Sequence, residues 1–447
     1  MVRVLLVNPW IYDFAAYNLW ARPLGFLTLF SFLRERGHEG VYLDALRLSS
    51  DDISRYGLDP PKSRDYGTGK FYEKKVPTPE AYPPIRRYYR RYGQPREVFA
   101  DKLREIADPD WIFVTSGMTY WYLGIQETIG VLKEQIPDVP VVLGGTYATL
   151  CPEHATEKSG ADQVISVGWE SGQAKLESDG PMFFPPSPVE IDEIPFAAND
   201  LYPESPYAVT RLTQGCPFHC DYCASDLLSP GFQYRDPAQV VEEITWNVRE
   251  GRPDVALYDD ALLVQPEKVL IPVLESVLEK ELPCSFHTPN GLHARFVSRE
   301  IAELFCRAQF RTVRLSFEGV RGKARETSDG KAAPEDLERA LAYLQEAGYP
   351  PGSVDVYSLI GLPGQREDEI YETVDFVHSL GGNVKLAQYS PIPGTPLFEE
   401  DKKRNPQVGS EPLLQNPTVA PGWNFETERY EEIKSHVRKL RSNFRNE

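Results

Sequence analysis

Apolar residues along this 447-residue chain come in short runs separated by amphipathic stretches. The run over 2–8 is closed by Pro9 and reads as a strand buried on both faces. A helical pattern over 24–36 follows it, with Gly37 as the stop. Further strands are predicted at 41–45, 111–115, 139–143 and 163–167, with a helix at 124–135. This alternation predicts a Rossmann-like (flavodoxin-like) parallel sheet domain over 1–180. A Pro-rich stretch, 181–205, reads as a linker. The alternation then resumes, with strands at 208–212, 255–258, 284–287, 312–316, 354–360 and 384–389. Helices lie between them, among others at 238–249, 267–279, 334–347 and 367–380. Six strand–helix units over 206–400 predict a partial (β/α)6 TIM-type barrel, with functional groups at the C-terminal strand ends. The remainder, 401–447, is a polar extension with one helix at 426–443. No repeat of solenoid period occurs.

One long insert, 51–98, interrupts the first domain. It holds eleven Lys or Arg and seven Asp or Glu, so it is net +4 in a chain of net charge −18. Its core, Ile85 to Tyr92, reads Ile-Arg-Arg-Tyr-Tyr-Arg-Arg-Tyr. Interleaved Tyr and Arg can stack bases and neutralise phosphates. The favoured reading is a solvated cover or substrate lid, because no second basic patch accompanies it. The acidic surface as a whole repels phosphate backbones, so no nucleic-acid partner is expected.

The apolar stretch Pro23–Leu33 runs eleven residues, and a bilayer needs about 20. No membrane span is expected. The opening apolar run is short and lacks a small-residue cleavage site, so it reads as a strand and not a signal peptide. A cytoplasmic location is the expectation.

Six cysteines are too few for a disulfide scaffold, and three of them, Cys216, Cys220 and Cys223, fall together after the first barrel strand. Clustering of this kind points to a metal or cluster site. The stretch reads Gly215-Cys-Pro-Phe-His-Cys-Asp-Tyr-Cys223. Three thiolates at this spacing can hold three irons of a [4Fe–4S] cluster, which ordinarily has four cysteine ligands. No fourth cysteine is nearby, so one iron is left for an exogenous ligand. Zinc would want a fourth protein ligand, and His219 is too crowded between the cysteines to serve well. Cys284 and Cys306 read as buried small apolar residues, and Cys151 as structural.

The C-x3-C-x2-C motif, with the aromatic Tyr222 before its last cysteine, resembles the signature of the radical S-adenosylmethionine (SAM) superfamily. The resemblance implies that the open iron chelates the amino and carboxylate groups of SAM. It also implies reductive cleavage of SAM to methionine and a 5′-deoxyadenosyl radical, with a reductant such as ferredoxin or flavodoxin as electron donor. Further stretches resemble the family's barrel strand ends. They are Tyr258-Asp259-Asp260, the turn with Asn290, the strand end with Glu318, and Ile360-Gly361 with its following Pro-Gly-Gln. Tyr222, Tyr258, Asp259, Asn290, Glu318, Ile360 and Gly361 are therefore expected at SAM. Single residues of these types also serve as plain turn residues.

The first domain resembles the cobalamin-binding domain fused to many members of that superfamily. The matching positions include Pro9, Ser116, Gly144, Gly145 and Thr146, which are expected at cobalamin. The Asp-x-His-x-x-Gly motif that supplies a cobalt ligand in other cobalamin proteins is absent, so no histidine is assigned to cobalt. Tyr120-Trp121-Tyr122 would pack against the corrin or fill its space. The resemblance implies a cobalamin-dependent methyltransferase acting on an unactivated centre of a small molecule or peptide. A radical SAM cyclase or rearrangement enzyme is the alternative, and a non-catalytic Fe–S protein the third. The methylthiotransferase branch carries a second cysteine triplet in its first domain, where this chain has Cys151 alone.

Overall fold

In the computed structural model, which describes residues 2–176, 183–420 and 427–444, the chain divides into two units. The first comprises Met1–Ser205 and Gln407–Gln415. Its apolar runs form β1 (Arg3–Asn8), β2 (Glu39–Asp44), β3 (Trp111–Val114), β4 (Val141–Leu143) and β5 (Gln163–Val164). All pair in parallel, in the order β5-β4-β3-β1-β2. This is the flavodoxin-like order, and its topological switch point falls between β1 and β3. Pro9 and Ser116 follow those two strands. Helix α1 (Leu24–Glu35) buries Phe26, Leu29, Phe30 and Leu33 on the sheet, while α2 (Arg96–Glu105) and α3 (Tyr122–Gln135) pack together.

The insert is ordered around its own small core. Its strands Glu73–Lys75 and Arg90–Tyr92 join Ile11–Asp13 in an antiparallel sheet, and Ile11, Ala16, Phe71 and Tyr92 pack together. Four of its arginines are paired with acids: Arg55 with Glu105 at 3.0 Å, Arg90 with Glu73 at 3.4 Å, Arg91 with Glu127 at 2.9 Å and Arg96 with Glu134 at 2.5 Å.

Two boundaries differ from the sequence expectation. The stretch expected as a linker, 181–205, belongs to the first unit from Phe183 onward; its first two residues lie outside the described residues. Phe183 and Phe184 are buried against Phe113, with Ile194 and Ala198 in the same cluster. Proline density suggested a spacer, but the interspersed Phe and Ile residues make the segment a strap across the sheet. The extension is divided likewise. Gln407–Gln415 belongs to the first unit, where Gln415 meets Thr119 at 2.5 Å and Glu411 accepts from the Tyr122 hydroxyl at 3.2 Å.

The second unit comprises Pro206–Pro406 and Asn416–Glu447. One four-stranded parallel sheet runs β6 (Tyr207–Thr210), β7 (Asp254–Leu257), β8 (Ser285–His287) and β10 (Phe310–Thr312). A second runs β9 (Leu292–His293), β11 (Arg314–Glu318), β12 (Asp355–Ile360) and β13 (Asn383–Gln388). The expected single strand at 312–316 is broken at Val313, so β10 closes one sheet and β11 continues in the other. Register shifts at Phe286/His287 and Ser316/Glu318 accompany this turn of the wall, as bulges do where a sheet curves. Outside lie α4 (Pro237–Arg249), α5 (Leu270–Glu279), α6 (Arg299–Arg307), α7 (Pro334–Glu346) and α8 (Glu367–Ser379). Helix α9 (Thr427–Asn443) adds Ile433 and Val437 to the same core; Glu426, the expected first residue of this helix, lies outside the described residues. Among the described residues no helix is long and apolar enough to cross a membrane.

Candidate functional site

The cysteine loop hangs from an antiparallel hairpin, Thr213–Gly215 with Phe232–Tyr234, just beyond β6. Gly215, immediately before Cys216, has φ +80°, and a Cβ there would lie 2.0 Å from the Gly231 carbonyl oxygen. Only glycine fits so close a backbone approach. The loop is anchored from the other side by the segment after β11. Asp221 N–H donates to the Thr327 carbonyl at 2.9 Å, and His219 N–H to the Asp329 carboxylate at 2.9 Å. The Cys220 thiol donates to the Ser328 carbonyl at 3.3 Å.

All three cysteines are free thiols and line one cavity of 410 Å³. Asp260, Asn290, Glu318 and Lys331 share its wall. Burial raises the Cys216 thiol and pushes Cys220 up to about 11, against a downward pull from Lys331 on both. Buried thiols in this state stay protonated unless a metal holds them as thiolates. Among the described residues no group of three or more His, Cys, Asp or Glu converges to hold a single metal ion.

Lys331 Nζ lies 3.2 Å from Glu318 Oε1; Glu318 is buried and Lys331 half-buried. Burial opposes the Lys331 ammonium, but Glu318 and the cysteines outweigh it and hold its pKa above the ordinary value. Glu318 ends β11 with φ +40°, a left-handed conformation that side chains other than glycine seldom adopt. Strain of this kind collects at functional positions. Asp260 opens onto the cavity from a concave wall, where desolvation raises its carboxyl.

The expected SAM residues divide into two groups. Tyr222, Asn290 and Glu318 line the cavity with the cysteines. Burial, then Glu318, raises the Tyr222 phenol well above its usual range. Asn290 donates from Nδ2 to the carbonyls of Tyr258 and Asp259, both at 3.1 Å. Tyr258 thus takes part through its backbone. Asp259 points the other way. Its Oδ1 accepts from Leu212 N–H at 2.9 Å and from the Thr213 hydroxyl at 2.7 Å, fixing the start of the cysteine hairpin. The Ile360 side chain is in the core, and Gly361, φ +88°, sits in a turn braced by Gln365, whose Oε1 accepts from Gly361 N–H at 2.8 Å. Lys331, Asp260 and His293 were not among the expected site residues, and all three line the cavity. Asp260 is the one with a sequence signal, as the second carboxylate at a predicted strand end.

In the first unit, Ser116, Gly144, Gly145 and Thr146 meet at the C-terminal edge of the sheet. The Ser116 hydroxyl donates to the Gly144 carbonyl at 2.7 Å, and Thr146 N–H to the Ser116 carbonyl at 3.0 Å. Gly145 has φ +93°, and a Cβ there would lie 2.5 Å from the Ser116 carbonyl oxygen. Gly144 faces open space, since its nearest contact for an added Cβ is Ile165 O at 3.9 Å. Pro9 is buried after β1. The aromatic run is held by protein partners: Trp121 Nε1 donates to Asp13 at 2.8 Å, Tyr122 bonds Glu411, and Tyr120 is buried.

A partial parallel barrel with three free thiols and a Lys–Glu pair around a cavity at its C-terminal strand ends has a donor set that could hold an iron–sulfur cluster. Residues 210–377 match the radical SAM superfamily, and the chain carries a radical SAM domain. It is similar to the anaerobic magnesium-protoporphyrin IX monomethyl ester cyclase of Cereibacter sphaeroides, with 24% identity over 340 residues. That match covers 68% of this chain and 55% of the cyclase, so the chain spans little more than half of that relative's length. Among solved structures it resembles the radical SAM methyltransferase TsrM of Kitasatospora setae, solved with tryptophan substrate and a SAM analogue. The TM-score is 0.60 at 16% identity, over 90% of this chain and 76% of TsrM. It also resembles OxsB, a cobalamin-dependent SAM radical enzyme solved with aqua-cobalamin. There the TM-score is 0.58 at 14% identity, over 92% of this chain and 56% of OxsB. These likenesses establish a shared two-part fold.

Proposed function

We propose that this protein is a radical SAM enzyme that acts as a cobalamin-dependent methyltransferase on an unactivated centre. The observation that carries the radical SAM part is the cavity that gathers three thiols, Glu318, Asp260 and Lys331. Cys216, Cys220 and Cys223 would hold a [4Fe–4S] cluster with one iron left open. When bound and reduced by an electron donor of the ferredoxin or flavodoxin kind, such a cluster would supply the electron for reductive cleavage of SAM. The chain's own residues bind and orient. SAM carries an ammonium, a carboxylate and a sulfonium, and the cavity offers groups of opposite sign to each. Lys331 suits the carboxylate, while Glu318 and Asp260 suit the cationic groups. Asn290 ties the ends of β7 and β8 together beside them.

The methyltransferase part is supported by the fold shared with TsrM along nearly the whole chain. The turn Gly144–Thr146 suits a cobalamin tail. It lies at the sheet's C-terminal edge, is backed by Ser116, and leaves open space beside Gly144. A second reading, radical cyclisation of a tetrapyrrole-like substrate, is favoured by the likeness to the cyclase. Turnover with methyl-labelled SAM, strong reductant and added cobalamin separates them. A methyltransferase forms S-adenosylhomocysteine and 5′-deoxyadenosine in proportion to labelled product. Deoxyadenosine without transferred label would reject methylation and leave the radical SAM reading intact. Iron retained by the triple Cys216→Ala, Cys220→Ala, Cys223→Ala variant would reject the cluster assignment itself.

A further inference from the structure

His293 is the second residue of the two-residue strand β9 and pairs with Ser316 of β11. It is 2% exposed and lines the cavity of the three cysteines. Its ring packs edge-on against Phe218, which lies between Cys216 and Cys220, with centroids 4.7 Å apart. Among the described residues neither ring nitrogen has a hydrogen-bond partner. Burial, reinforced by the Lys331 ammonium, pushes the imidazole down to about 3, so the ring is neutral at physiological pH. A neutral imidazole carries one N–H donor and one acceptor nitrogen. Leaving both unmet in a buried site is costly, and such groups in native proteins usually await a ligand or an ordered water. Asp259 Oδ2 is also unpartnered, but that carboxylate belongs to the hairpin clamp and does not line the cavity.

We propose that His293 donates an N–H hydrogen bond to the anionic group bound at the cysteine loop. This inference rests on the radical SAM reading above. Two acceptors of one chemistry are available there, the sulfur edge of the cluster and the carboxylate of SAM. The ring packs against Phe218 of the cysteine loop, and Lys331, a cation that an anionic ligand could meet, shares the cavity wall with Glu318 and Asp260. A neutral donor adds hydrogen bonding without adding a second positive charge beside Lys331. His293 would thereby set either the grip on SAM or the ease of reducing the cluster.

The test uses the full chain reconstituted anaerobically with iron and sulfide, as wild type, His293→Phe and His293→Gln. Phe keeps a ring against Phe218 and removes both nitrogens; Gln keeps an N–H. Affinity for labelled SAM is measured by equilibrium dialysis, and the cluster's midpoint potential by EPR-monitored titration without SAM. With iron content unchanged, His293→Phe is expected to show one of two effects. A carboxylate acceptor weakens SAM binding by about 10-fold or more, and a sulfur acceptor moves the potential to more negative values. His293→Gln recovers part of either loss. A fully loaded Phe variant with unchanged affinity and potential would overturn the inference, and so would a Gln variant as impaired as Phe. Should the Phe variant fail to take up iron, the wild-type cluster decides with isotope-labelled histidine. Hyperfine coupling from an exchangeable imidazole proton, with or without SAM, supports the bond, and its absence in both states removes it. Wild type that binds neither iron nor SAM would sink the radical SAM reading and this inference with it.

Discussion

Replacing Asp259 by Asn should leave SAM binding in place and remove a pH-dependent cost from the fold. Asp259 is buried and stands outside the cavity, where it clamps Leu212 and Thr213. Burial pushes its carboxyl from 3.8 to about 6, against the downward pull of those hydrogen bonds. The folded state therefore holds the proton more tightly than the unfolded chain. Between about pH 4 and about pH 6 folding takes up a proton, so stability is present at the acid end and is lost as pH rises through about 6. A shift of about 2 units corresponds to about 3 kcal/mol between the protonated and ionised limits. Between about pH 5 and about pH 7 the portion lost is on the order of 1 kcal/mol. Asn keeps the accepting oxygen and carries no charge. Urea unfolding of wild type and Asp259→Asn at those two pH values isolates the contribution, because the other titrating groups are common to both proteins. The stability difference, variant minus wild type, should grow by on the order of 1 kcal/mol from the lower to the higher pH. A difference independent of pH would refute the reasoning, and a large loss of SAM affinity in the Asn variant would place Asp259 at the ligand instead.

Three further outcomes are expected. Lys331→Met should weaken SAM binding by about 10- to 150-fold, the range for a lost hydrogen bond to a charged group, with partial recovery in Lys331→Arg; equilibrium dialysis measures it. Gly215→Ala should cost on the order of 2 kcal/mol or more, because φ +80° and the Gly231 carbonyl both exclude a Cβ, and iron occupancy after reconstitution should fall with it. Glu243→Ala should destabilise the barrel unit by about 3–5 kcal/mol in urea melts, since it strips the buried Arg235 of its 2.6 Å carboxylate partner.

The alternation of apolar runs with helical stretches made both parallel folds legible in the sequence, because a strand buried on both faces must be apolar along its length. The three cysteines were legible for a related reason: a short loop brings its own residues together whatever surrounds it. Tyr222, Asn290 and Glu318 were reachable from their positions after predicted strands, since in a parallel barrel those ends face one mouth. Which of two neighbouring carboxylates meets the cavity was not reachable: Asp259 and Asp260 lie just past the end of β7, outside any strand, and only the tertiary packing separates them. Lys331 lies thirteen residues beyond Glu318 in a loop with no periodic pattern, and it reaches its partner because the segment 327–331 folds back onto the cysteine loop. His293 belongs to no motif in the sequence, and what sets it apart is that neither ring nitrogen meets a hydrogen-bond partner among the described residues. The strap from Phe183 and the return of Gln407–Gln415 to the first unit were equally hidden. Proline-rich composition describes a backbone's local stiffness, whereas burial of Phe183 and Phe184 depends on a distant sheet offering an apolar face. Local chemistry is written in the order of residues, and long-range pairing is decided by which surfaces are left to cover once the sheets have formed.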